Sequence, residues 1–196
     1  MVLYFNPEIL RQNISDWINF RDNSAFTIDE SKISINIEIN SQFLALIHTL
    51  FHEASHVYDY YFYVTPYTEP FLRNDNTIFP TEFVKNIWIK YDEPIEEFNF
   101  ANRENIFSYD LGERINRNYV INIYQSLEKT PFSSIYGSKM WAEDFAEGIT
   151  WWYLNKYFGI KYITNILNDG NTIIVYNPNE NELVVSRYRI FEELFE

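Results

Sequence analysis

One short run, His52-Glu53-Ala54-Ser55-His56, has residue types and spacing suited to metal-assisted hydrolysis. Two histidines four apart on a helix differ by about 40° around the axis and lie one turn apart, so both imidazoles reach one ion. Glu53 then stands beside them, near enough to take a proton from a water on that ion. Zinc, Zn2+, is the default ion for two imidazoles and an oxygen ligand. Asp59 lies three residues after His56 on nearly the same face. It is either a carboxylate that holds the outer N–H of an imidazole or a surface acid near the helix end. His48 stands one turn before His52, too far along the axis to share the ion, and reads as a packed or hydrogen-bonded helix residue.

Two imidazoles do not complete a site. The chain has three histidines and no cysteine, and no histidine follows His56. The longer H-E-x-x-H-x-x-G-x-x-H pattern is absent, with Asp59 and Phe62 where its glycine and last histidine would stand. The third ligand must therefore be a carboxylate. Candidates lie in Trp141-Ala142-Glu143-Asp144-Phe145-Ala146-Glu147-Gly148. On a helix, Glu143 and Glu147 fall opposite the stripe Trp141, Phe145, Gly148 and Trp152, and Met140, Trp151 and Leu154 flank them. Neither side is wet, so both carboxylates need a cation or donors. Glu143 is assigned as ligand and Glu147 as the carboxylate behind it; the reverse order, or Asp144, remains open.

The elements that must carry these residues read as an α+β chain, mostly helical with a small sheet, its metal site between two buried helices. Asn6-Pro7-Glu8 opens a helix to about Asp22 that buries Leu10, Ile14, Trp17 and Ile18. Alternation of Ile33, Ile35, Ile37 and Ile39 with polar residues gives a half-buried strand. Ser41 is expected to cap a helix running to about Tyr61, apolar all round and hence buried. Residues 63–80 read as a loop, with helices near Thr81–Lys90 and Glu113–Leu127 around an acidic stretch at 92–97. Ser138 opens a second helix that is apolar all round, ended at Gly159. A short helix over 160–167 and strands over 172–176 and 183–190, paired across 177–181, complete the chain. The expectation is one domain, 1–196, with an insertion or lid at about 63–130.

Composition narrows the partners. Acids outnumber bases by 28 to 15, a net charge of −13, which argues against nucleic acid and anionic membranes. No apolar run approaches the roughly 20 residues of a membrane span. The first residues lack the pattern of a signal peptide, so the default compartment is cytoplasmic, with a secreted or injected effector as the alternative. The absence of cysteine excludes thiolate metal sites and cysteine nucleophiles. The 16 Tyr, 17 Phe and 5 Trp are expected in part to wrap a polar centre in a dry shell. Charge and composition leave oligomeric state undefined.

Together, His52-Glu53-Ala54-Ser55-His56-Val57-Tyr58-Asp59 and Glu143-Asp144-Phe145-Ala146-Glu147 resemble the catalytic domain of anthrax lethal factor and related zinc endopeptidases, including the bacterial Pro-Pro endopeptidases. That family also places a Tyr-Gly pair seven residues before its ligand glutamate, and Tyr136-Gly137 stands at that offset here. The likeness covers roughly 52–61 and 133–150. It departs at Ser55, where the family often has glycine, and in the 87-position separation of His56 from Glu143. The resemblance implies a zincin-like fold and a zinc-dependent endopeptidase. His52, His56 and Glu143 would be the metal ligands, Glu53 the general base, and Tyr136 a phenol that stabilises the oxyanion. The substrate would be a peptide or protein, with the strand Ile33–Ile39 as a candidate edge for it to pair with. The alternative is a catalytically silent module of the same shape that binds a protein partner.

Overall fold

The computed structural model describes residues 7–28, 30–66 and 80–195, without the side chain of Glu8. The described chain is α+β, 47% helical with a small sheet. No described helix is long and apolar enough to cross a membrane.

The expected first helix is broken. A 3-10 turn, Pro7–Leu10, precedes α1, Ile14–Asn23, whose real N-cap is Asn13: its side chain accepts from the Asp16 N–H. Leu10 is consequently exposed, while Ile14 and Ile18 are fully buried. Strand β1, Ile33–Ile39, has the expected bounds and turns Ile35, Ile37 and Ile39 inward. It pairs antiparallel with β4, Tyr162–Asn168, which pairs antiparallel with β5, Asn171–Tyr176, in the order β1-β4-β5.

β4 replaces the helix expected over 160–167. Ile160, Tyr162, Thr164 and Ile166 alternate inward, a period of two that a short apolar run conceals. The hairpin therefore turns at Asp169 and Gly170, both at positive φ, and not at 177–181. The strand expected over 183–190 is instead α5, Glu182–Val185, and α6, Tyr188–Glu193. Asn181 decides it locally, because its side chain accepts from the N–H groups of Leu183 and Val184 and so starts a helix.

Helix α2, Ala45–Phe62, is displaced from the expected start. Ser41 Oγ accepts from the Phe43 N–H in a turn before it and caps nothing. It is also not the buried cylinder that its composition suggested. Its buried residues are Ala45, His48, His52, Ser55 and Asp59, a stripe that is mostly polar. Leu50, Val57, Tyr60, Tyr61 and Phe62 face outward. Helix α4, Trp141–Phe158, does match the reading: it is buried on nearly every side and ends at Gly159, whose φ of 64° closes the left-handed C-cap. Ser138 does not open it. A 3-10 turn, Gly137–Lys139, comes first, and the Ser138 hydroxyl donates to the Ile135 carbonyl.

Thr81–Lys90 is turns leading into β2, Trp88–Lys90, which pairs with β3, Glu93–Pro94. Within Glu113–Leu127 only α3, Val120–Leu127, is α-helical. The described part of 63–130 is not a lid laid over the outside. Phe83, Val84, Trp88, Ile106, Ile115, Ile123 and Leu127 join α1, β1 and α4 in one buried apolar cluster. Residues 67–79, including Tyr67 and most of the expected loop, lie outside the described residues.

Candidate metal centre

The buried stripe of α2 lies against α4. His52 Nε2 is 3.1 Å from Glu143 Oε2, His56 Nε2 is 3.5 Å from the same oxygen, and the two Nε2 atoms are 3.2 Å apart. These three residues form a group that could hold a metal ion. Ligand atoms at 2.0–2.1 Å around a tetrahedral zinc ion stand about 3.3 Å apart, so the triangle already has the required size. Burial and the neighbouring charges prepare it. Burial alone would lower the His52 pKa, but the hydrogen bond with Glu143 and the nearby Glu147 carboxylate raise it to about 9. Burial would likewise raise Glu143, but His52 and His56 bring it down to about 2. These two shifts describe one ion pair, which a metal cation can replace by displacing the imidazolium proton.

Glu147 sits one turn behind Glu143 and is fully buried. Its Oε1 lies 3.2 Å from His52 Nδ1, as expected of a carboxylate behind a ligand. The contact is a close charge approach and not an aligned hydrogen bond, because the ring N–H points off the oxygen. Oε1 also accepts from Arg21 Nη1 at 2.8 Å, and Oε2 accepts from Ser134 Oγ at 2.8 Å and from Trp151 Nε1 at 3.2 Å. Burial would push Glu147 up, yet Arg21 and His52 hold it well below the ordinary carboxylate range.

Asp59 is elsewhere. Its two oxygens accept from the N–H and the hydroxyl of Thr65, both at 2.6 Å, tying down the chain after α2. It is neither a surface acid nor, among the described hydrogen bonds, a partner of His56; the backbone beyond the helix end was the stronger claimant. Asp144, the other open candidate, faces away from the site. It takes a bidentate Arg187, at 2.9 and 2.8 Å, and the Trp88 Nε1 donor at 2.9 Å.

Glu53 and Tyr136 border one cavity of about 260 Å³, together with Trp17, Arg21, His48, Thr49, His52 and Tyr109. The Tyr136 ring centroid is 5.9 Å from that of His52. Burial first, then Glu143 and Tyr109, push the phenol far above its usual range, so at neutral pH it stays a proton donor. His48 is buried with its ring 4.8 Å from Trp151 and its Nε2 3.6 Å from Glu147 Oε1, beyond hydrogen-bond reach. Burial brings its pKa down to about 4, so it is neutral. It is a packed helix residue, as expected.

The sequence reading missed five contributors. Arg21 and Asp22 follow Ile14 and Ile18 on the buried face of α1, and a charged pair on an apolar face was the signal. Ser134 gave none. Tyr109, at a φ of 61°, leans its ring on Trp17 and Tyr136, and its N–H donates to Ser24 Oγ at 2.6 Å. Arg103, from the segment expected as an insertion or lid, donates to the carbonyls of Asp92, Ser138 and Lys139 and so braces the turn that carries Tyr136.

The free edge of β1 is closed to a substrate strand. Asn19 accepts from the Ile37 N–H at 2.8 Å and donates to the Ile37 carbonyl at 2.7 Å. Ser15 and Asn23 flank it on Ile39 and Ile35. The expectation that β1 offers an edge to an extended peptide is therefore overturned. No family model, no curated protein and no solved structure matches the chain.

Proposed function

We propose that the chain is a zinc-dependent endopeptidase of the His-His-Glu kind, with zincin-like use of α2 and α4. The observation that carries this reading is the convergence of His52 Nε2, His56 Nε2 and Glu143 Oε2 within 3.5 Å of one another. Two imidazoles and one carboxylate satisfy three of zinc's four positions, the pattern of catalytic sites and not of closed structural ones. The likeness of both motifs to the lethal factor and Pro-Pro endopeptidase family supports peptide hydrolysis in particular.

Zinc bound there would acidify a water and polarise a peptide carbonyl. The chain's own residues do the rest. The Glu147 charge, 3.2 Å from Nδ1, favours the His52 tautomer with its proton on that nitrogen and leaves the Nε2 lone pair free. Glu53 takes the proton of the attacking water and delivers it to the leaving amine. Tyr136, held protonated by its buried setting, donates a hydrogen bond from its hydroxyl to the oxyanion.

The test is a digest of a random peptide library, read by mass spectrometry, with wild type, chelator-treated protein and Glu53→Gln. The metal-loaded wild type should cleave, the chelated protein should not, and added zinc should restore cleavage. Glu53→Gln should keep one zinc per chain and lose turnover. A metal-loaded wild type that cleaves nothing, or a Glu53→Gln protein as active as wild type, would refute the proposal.

A further inference from the structure

Arg21 is fully buried on α1, far in sequence from both metal-site motifs. Its Nε donates to Asp22 Oδ1 at 2.7 Å and its Nη1 to Glu147 Oε1 at 2.8 Å. The same Glu147 oxygen is 3.2 Å from His52 Nδ1. The Tyr136 ring covers the guanidinium at 4.8 Å, shielding the arrangement from water. A buried cation between carboxylates is a poor device for stability, since apolar residues of similar volume do as well or better. Its geometry has a more specific use. Glu147 Oε1 stands between a rigid, permanently charged fork and a metal-ligating ring, so the fork fixes where the carboxylate can aim.

We propose that Arg21 is a positioning residue for the metal centre, acting on His52 through Glu147. This rests on the metal-site reading above but not on the peptidase reading, because the effect appears in metal affinity with no substrate present. Simple electrostatics predicts the opposite sign: removing a cation beside a divalent ion should tighten its binding. Positioning predicts weaker binding.

The experiment is zinc affinity by competition with a chromophoric chelator, for wild type, Arg21→Met, Glu147→Gln and the double variant, each checked for folding by circular dichroism. Each single change should weaken zinc binding by roughly 10- to 100-fold, the usual effect of removing a group behind a ligand. The double variant should lose no more than the weaker-binding single one, since both changes break one chain of contacts. Arg21→Lys, which keeps the charge, should recover part of the loss. Unchanged or tighter binding in Arg21→Met overturns the proposal, and so do losses that multiply in the double variant. Should Arg21→Met fail to fold, Arg21→Gln takes its place in the same cycle with the same expectations. Absence of peptide cleavage in every protein would defeat the peptidase reading and leave this result standing.

Discussion

Raising the pH from 7 to 9 should move metal affinity and metal-free stability in opposite directions, and His52 is the reason. Without metal its pKa is about 9, because contacts with Glu143 and Glu147 outweigh burial. Its unfolded value is near 6.5. The folded value is the higher one, so the stabilisation is fully present below pH 6.5 and is lost as pH rises through 9. The full loss is on the order of 3 kcal/mol, counted once for the His52–Glu143 pair. Zinc needs the neutral ring, so binding at pH 7 must displace about one proton, and affinity should rise about tenfold per pH unit up to 9. Calorimetric zinc titrations at pH 7.2 in buffers of different ionisation enthalpy give the proton count. Thermal melts of chelator-treated protein at pH 6.5, 8 and 9.5 give the stability. Release of no proton at pH 7.2, together with a flat stability profile, would show that His52 is neutral in the metal-free site and that the argument fails.

Four further variants separate residues by role. Glu143→Gln should lose zinc by at least about 100-fold and stay folded, whereas Arg187→Met should lose about 3–5 kcal/mol in urea unfolding by stranding buried Asp144, with zinc affinity of the folded protein unchanged. Tyr63 ends α2 at a φ of 54° and is largely exposed, so Tyr63→Gly should stabilise by about 1 kcal/mol, a rise in Tm of about 2–4 °C. Asn19→Ala should cost about 1–3 kcal/mol by denaturant titration, since it orphans both backbone groups of Ile37.

Chemistry was easier to read in this chain than packing. The spacing of His52, Glu53 and His56 and the dry setting of Glu143 and Glu147 follow from helical periodicity alone, and the structure brings His52, His56 and Glu143 together. Helix α2 was misread because apolar content was taken as the measure of burial. Its orientation is set instead by buried polar groups that have partners on other elements, His52 on Glu143 and Asp59 on Thr65. The run 160–167 is hard to read because the apolar Ile163 and Leu167 stand on the half-exposed face and the polar Thr164 on the buried one, which blurs the alternation. Segment 182–193 was misread because the β-branched Val184 and Val185 weighed more than the capping side chain of Asn181. Arg21 and Ser134 reach Glu147 from 126 and 13 positions away, and Tyr109 reaches Tyr136 by a ring contact, none of which a local pattern encodes.

The side chains that seal β1 also set a limit on how far a helix can stand in for a strand. Four helical residues advance about 6.0 Å and two strand residues about 6.6 Å, so Ser15, Asn19 and Asn23 nearly keep step with Ile39, Ile37 and Ile35. The small misfit accumulates, and the bonds record it. Asn19, in the middle, makes both contacts at 2.8 and 2.7 Å. Ser15 makes both at 3.1 and 3.3 Å. Asn23 reaches only the Ile35 carbonyl, at 3.2 Å, and accepts from Arg117 with its other atom. A vernier of this kind stays in phase for about three teeth, and α1 ends at the third. Lengthening α1 with further Asn residues every four positions would not extend the seal, whereas shifting Asn19 by one residue would remove its best-matched tooth.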